Sequence, residues 1–176
     1  MSILKTILHG DLKTYECNFL DIDGVLNSQT TEERCNGVIG IDDDKVARLA
    51  AIVDKNDAIL ILTSSWRYHW WKKEKEDDEQ HPLGEYLDKK LSSYCIKIAD
   101  KISYGGFNRG RAIRNWLKEH PEVSAFIVLD DEEFDYRDDD VWLIPYLVKT
   151  SFYSDLGGLQ ETHVFVANKL FRKQVD

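Results

Sequence analysis

Cysteine is scarce in this chain, and its three residues, Cys17, Cys35 and Cys95, are scattered with no CxxC pair. Such a set argues against a disulfide framework and a thiolate zinc site, and suits a reducing compartment. Long apolar runs are missing too. No stretch approaches the ~20 residues of a membrane-spanning helix. The opening MSILKTILHGDLKTYE has neither a long apolar core nor a small-residue cleavage site. The expected setting is the cytoplasm, with no membrane and no disulfide partner. Internal repeats, low-complexity tracts and Pro/Gly/Ser linkers are absent, so the 176 residues are expected to form a single domain with a sizeable core. Positive charge is in deficit, and the net charge of −9 argues against a non-specific nucleic-acid coat protein with a basic face. The histidines are too dispersed to mark a site; only His163, in GLQETHV, draws notice, and a structural role is expected for it.

What the chain does have is an α/β pattern. Four segments look like buried strands: YECNFLD (15–21), AILILTS (58–64), AFIVLD (125–130) and WLIPYLVKT (142–150), with YCIKIA (94–99) weaker. The middle two are continuous apolar runs, as in parallel strands covered on both faces. Pro145 predicts an edge or irregular strand. Between them, Val46, Leu49, Ala50 and Val53 recur at helical spacing, as do Ala112, Ile113, Trp116 and Leu117, with Asn108 placed to cap that helix and Pro121 to stop it. Further helices are expected over 83–93, through Leu83, Tyr86, Leu87 and Leu91, and over 159–171, with Leu159, Val166, Ala167 and Leu170 roughly on one face. The pattern predicts a three-layer αβα sandwich on a mainly parallel, Rossmann-like sheet, with function at the carboxyl ends of the strands.

Those ends carry the chemistry. The first strand runs from an apolar stretch into Asp21-Ile22-Asp23-Gly24, although buried carboxylates are costly without a metal, a cation or hydrogen-bond donors. The second ends in Thr63, Ser64 and Ser65, the strand over 125–130 in Asp130 and Asp131, and Arg109 and Arg111 precede the crossover helix that leads into it. A parallel sheet would bring all of them to one edge, where the carboxylates repel one another. A divalent cation removes the conflict, and an all-oxygen ligand set suits Mg²⁺ better than zinc. The basic and hydroxyl groups beside it point to a phosphate-sized anion. Taken singly, Asp-x-Asp reads equally as a turn, and Asp131 as part of the acidic run DDEEFDYRDDD (130–140). The other acidic run, EKEDDEQ (74–80), reads as solvated surface. An EF-hand does not fit DIDGVLNSQTTEE, because its glycine falls at position 4 rather than 6. GGFNRG has the spacing of neither a P-loop nor a dinucleotide fingerprint and reads as a flexible turn.

In order, FLDIDGVLN, ILILTS, the Arg109 region and FIVLDD resemble motifs I to IV of the haloacid dehalogenase (HAD) phosphohydrolases. LTSSWR, RGRAIRNWL, VLDDEEFD and GLQETHV resemble most the HAD phosphatase domains of Swiss-army-knife RNA repair proteins. The resemblance implies a Mg²⁺-dependent phosphatase with an aspartyl-phosphate intermediate. Asp21 is then the nucleophile and Asp23 the acid and base, with Gly24 allowing the turn behind them. Thr63 and the Ser64 amide bind the phosphoryl group. Arg109 or Arg111 takes the place usually held by lysine, Arg109 being preferred. Asp21, the Asp23 carbonyl and Asp131 hold Mg²⁺, with Asp130 or Asp135 in support.

Neither 27–58, read as a loop and one helix, nor 66–108 leaves room for a large cap domain. The expected site is open and admits a bulky substrate such as a polynucleotide end. In SSWRYHWWKKEK, Trp66, Arg67, Trp70 and Trp71 offer themselves as a substrate rim of the stacking kind, although Trp66 and Trp70, four apart, equally read as helix packing. A small-molecule or nucleotide phosphatase and a non-catalytic binding module are the alternatives.

Overall fold

The computed structural model describes residues 14–73, 79–103, 108–133, 136 and 138–175. Five parallel strands, β1 (Tyr15–Leu20), β4 (Ala58–Leu62), β5 (Ile98–Lys101), β6 (Val123–Asp130) and β7 (Leu147–Lys149), form a sheet in the order β5-β4-β1-β6-β7. A separate two-stranded ribbon joins β2 (Arg34–Cys35) to β3 (Val38–Ile39). The helices are α1 (Asp43–Asn56), α2 (Pro82–Ser92), α3 (Arg109–Glu119) and α4 (Glu161–Val175).

Alternation along the strands sorts the core into two layers. Leu20, Leu60, Leu62, Ile127 and Leu129 pack against Val46, Leu49 and Ile52 of α1, Leu87 and Leu91 of α2, and Ala167 and Phe171 of α4. Cys17, Phe19, Ile61 and Val128 face the other way, onto Ala112, Ile113 and Trp116 of α3 and onto Tyr136 and Leu143. The result is the expected three-layer αβα sandwich. The chain leaves β1 toward β4 and β5, then returns across β1 to β6. That reversal opens a crevice at the carboxyl end of β1, the place where such sheets bind ligands.

Several expectations need correction. The strand read over 142–150 is a 3₁₀ turn, Asp138–Tyr146, followed by the three-residue edge strand β7; Pro145 has no N–H for a ladder, and the turn accommodates it. The strand read over 94–99 forms later, as β5, because the chain is still turning at Cys95, whose φ is 60°. The segment 27–58 holds the β2–β3 ribbon as well as its helix. In α4, Val166 is exposed, whereas Ala167 and Phe171 are buried and Val164 and Leu170 pack against the core. Leu159 is buried ahead of the helix, so it was the wrong residue from which to set the helical phase. The opening residues 1–13, the run 74–78 and Tyr104 to Phe107 of the glycine-rich turn lie outside the described residues. Among the described residues no helix is long and apolar enough to cross a membrane.

Candidate active site

The strands deliver their carboxyl ends in register. Leu20 pairs with Leu62 on one side and Leu129 on the other. One rung further, the Asp21 N–H donates to the Leu129 carbonyl at 2.9 Å and the Thr63 N–H to the Leu20 carbonyl at 2.8 Å. Asp21, Thr63 and Asp130 each stand two residues beyond Phe19, Ile61 and Val128, the residues packed toward α3. With a period of two, their side chains fall on the face that α3 covers.

α3 brings the counter-charge. Asn108 caps it, its side chain accepting from the Arg111 N–H at 2.7 Å, so that Arg109 becomes the first helical residue. The Arg109 guanidinium lies 3.2 Å from the Asp21 carboxylate and donates to Asp130. Asp130, fully buried, also accepts from the Tyr136 hydroxyl and, at 3.0 Å, from the Glu132 N–H. Burial works against the charge on Arg109, but Asp21 and Asp130 more than offset it and hold the guanidinium firmly protonated.

The carboxyls show the reverse balance. Burial pushes Asp21 up to about 7; Asp130 adds to the rise, while Arg109, the Ile22 amide and the Ser64 side chain oppose it. Half-buried Asp131 is pushed up to about 6 by desolvation, then by Asp130 and Glu132. Asp21, Asp130 and Asp131 each place one oxygen within 4.8 Å of the others. Gly24 makes this packing possible: its φ is +77°, and a Cβ there would overlap the Asp131 carboxyl. Its carbonyl accepts from the Thr150 hydroxyl at 2.6 Å, which ties the Asp-Ile-Asp-Gly turn to the chain leaving β7.

Asp21, Asp23, Arg109 and Asp131 line one open cleft of about 410 Å³. The Thr63 hydroxyl is completely buried, finds no hydrogen-bond partner among the described residues, a costly state, and does not line the cleft. Ser64 is buried beside it. Arg111 is exposed and does not line the cleft; its backbone serves the cap. None of the expected rim, Trp66, Arg67, Trp70 and Trp71, lines the cleft, although Trp71 is exposed. Trp66 and Trp70 are buried in the core, and Arg67 folds back to donate to the Thr63 and Ser64 carbonyls at 2.7 and 2.9 Å. Trp70 gives its indole N–H to Asp88, and Trp66 gives its own to Asp23. Asp135 lies outside the described residues. His163 Nδ1 accepts from the Gln160 N–H at the start of α4, a structural role.

The mouth of the cleft is made by residues that the strand-end logic did not reach: Ile39 from the ribbon, Glu132, and the edge-to-face pair Phe152 and Tyr153. Ile39 had a signal. Asn36-Gly37, both with positive φ, is the dipeptide of a tight two-residue hairpin, and Val38-Ile39 follow it directly. Phe152 and Tyr153 had none.

A model of the HAD domain in Swiss Army Knife RNA repair proteins matches residues 18–164. No curated protein matches the chain. The matched span runs from the middle of β1 into α4 and takes in the whole carboxylate cluster, Thr63 and Arg109. The chain thus belongs to the family of HAD domains found in Swiss Army Knife RNA repair proteins.

Proposed function

We propose that the protein is a Mg²⁺-dependent phosphomonoester hydrolase in which Asp21 is the nucleophile and Asp23 the acid and base. HAD domains are generally hydrolases of the phosphatase type. The observation that carries the proposal for this chain is the packing of Asp21, Asp130 and Asp131 within 4.8 Å at one strand edge, against Arg109. Burial raises Asp21 and Asp131, Asp130 adds to both, and Arg109 only partly opposes the rise, so a cation set among the carboxylates would favour their ionised forms. The donors are all oxygen, which suits a hard cation. Asp21, Asp131 and the Asp23 carbonyl would hold Mg²⁺. Asp130, already engaged by Arg109 and Tyr136, supports from behind. When bound, the ion offsets the negative charge on the phosphoryl oxygens.

The chain's own residues do the rest. Arg109, which lines the cleft, binds phosphoryl oxygens, and the Thr63 hydroxyl joins it where a shift of its neighbours exposes it to the cleft. An Asp21 oxygen attacks phosphorus as the bond to the leaving oxygen breaks, giving an aspartyl phosphate, and Asp23 passes its proton to that leaving oxygen. Asp23 then takes a proton from water as the water oxygen attacks phosphorus. The bond to Asp21 breaks, inorganic phosphate leaves, and both carboxyls return to their starting states.

For substrate, the open cleft with an aromatic pair at its mouth supports the phosphorylated end of a nucleic acid, in keeping with the family's description. A mononucleotide is the second candidate. Glu132 at the mouth and the burial of Trp66 and Trp70 favour it, because they leave less of a basic, stacking track for a strand. The test is release of phosphate from an aryl phosphate with and without Mg²⁺. Wild type is expected to need Mg²⁺ and Asp21→Asn to be inactive; activity that survives the substitution contradicts the mechanism. Comparing a phosphorylated oligonucleotide with a mononucleotide at rising salt separates the substrates, since binding of the strand weakens steeply.

A further inference from the structure

We infer that Trp66 is a positioning residue for Asp23, aiming the acid–base carboxyl through its indole N–H; the inference rests on the phosphatase reading above. The Asp23 carboxyl is held at both oxygens. Oδ2 accepts from Trp66 Nε1 at 3.1 Å and Oδ1 from Asn27 Nδ2 at 2.9 Å. Asn27 is itself fixed, its amide oxygen accepting from the Gly24 N–H at 3.0 Å. A carboxyl free at both oxygens would sweep through its rotamers. Clamped at both, it keeps one plane and offers its remaining lone-pair directions to the cleft that it lines.

The clamp is only as firm as the backbone that carries Trp66, and that backbone is unusually well secured. Trp66 sits in the 3₁₀ turn Ser65–Tyr68 that follows β4. Cations reinforce the carbonyls in and around this turn, that of Ser64 accepting from the Arg67 N–H at 3.0 Å as well. Arg67 donates to the carbonyls of Thr63 and Ser64, and the Lys101 ammonium, at the end of β5, donates to those of Arg67 and Trp70. Charged donors to backbone carbonyls are among the stronger hydrogen bonds. They tie the turn to two neighbouring strand ends, so the direction of the indole is set by the sheet. Trp66 is 4% exposed, and its ring is tilted against that of Tyr86, with centroids 6.4 Å apart.

Packing alone would be served by phenylalanine. What tryptophan adds is a donor that can never become an acceptor, directed at the one carboxyl that must give and take a proton. The contribution falls on both steps in which Asp23 moves a proton, and kcat/KM reads the first of them, in which the leaving oxygen is protonated. An alkyl leaving group needs that proton. An electron-poor aryl group departs as a stable anion and needs it little.

The experiment is Trp66→Phe, with kcat/KM measured in Mg²⁺ on an alkyl phosphate and on a nitro-substituted aryl phosphate. The alkyl ester is expected to lose about 10-fold to 100-fold, a part of what an acid–base group supplies, while the aryl ester changes little. Equal losses on both esters, or none on either, overturn the inference while leaving the phosphatase reading intact. A wild type that hydrolyses neither ester overturns both. Should Trp66→Phe fail to fold, the indole N–H resonance of Trp66 is compared between wild type and Asp23→Ala. A large shift of that resonance, with the other tryptophans unmoved, supports the clamp; an unmoved Trp66 signal overturns it.

Discussion

Gly24 shows how much the site depends on a single missing methyl group. Its φ of +77° is a conformation that L side chains avoid, and its Cα packs against the Asp131 carboxyl. Gly24→Ala is expected to cost about 1–2 kcal/mol in urea unfolding for the left-handed backbone alone. It should also displace Asp131 and weaken Mg²⁺ binding by about tenfold or more, read by calorimetry. At this scale the chemistry was legible wherever a residue's cost was visible. Asp21, Asp23, Asp130 and Asp131 stood out because carboxylates do not end apolar strands without reason. The choice between Arg109 and Arg111 was also open to decision, by phase. Arg109 lies four and seven residues before Ile113 and Trp116, both buried, so it shares the face turned to the sheet, whereas Arg111 does not. Tyr136 and Asn27 were not legible. Their partners, Asp130 and Asp23, are met only once the acidic run and the first turn have folded back.

Among the elements, α3 couples stability to chemistry. Asn108 accepts from the Arg111 N–H and so fixes where the helix begins, and the next residue is the arginine that meets Asp21 and Asp130. Asn108→Ala is expected to cost about 1 kcal/mol of stability as a lost cap. Activity should fall by more than the folded fraction does, because fraying at the first turn moves Arg109; activity that tracks the folded fraction would contradict this. The same helix explains why the strands were easy to read and the loops were not. Strands β1, β4 and β6 are covered on both faces, and β4 and β6 carry continuous apolar runs, so their ends are marked. The edge strand β7 has one neighbour, three residues and a proline before it, and its apolar stretch was shared with a 3₁₀ turn. The tryptophans after β4 carry the mixed aromatic and basic pattern of an exposed rim, but the indoles of Trp66 and Trp70 find carboxylates within the fold and only Trp71 stays exposed.

For the molecule as a whole, the carboxylate cluster sets a pH dependence that runs opposite to the usual one. In the metal-free protein Asp21 is raised to about 7 and Asp131 to about 6, against about 3.9 for an unfolded aspartate. A raised acid binds its proton more tightly in the folded state. These groups therefore stabilise fully below the unfolded value, and their contribution is lost as pH climbs through about 6 to 7. The net charge of −9 adds general repulsion in the same direction. A cation between the carboxylates reverses the loss, most strongly where they are ionised.

The central claim is that the ends of β1 and β6 meet in order to share one divalent ion, and thermal melting against Mg²⁺ at about pH 5 and about pH 8 tests it most directly. Wild type is predicted to gain about 5–10 °C at pH 8 when Mg²⁺ reaches a hundredfold excess over its dissociation constant, and much less at pH 5. Asp131→Asn should be the more stable protein without metal at the higher pH, and should lose the gain. A wild-type melting point indifferent to Mg²⁺ at pH 8, or an equal rise in Asp131→Asn, would contradict the claim.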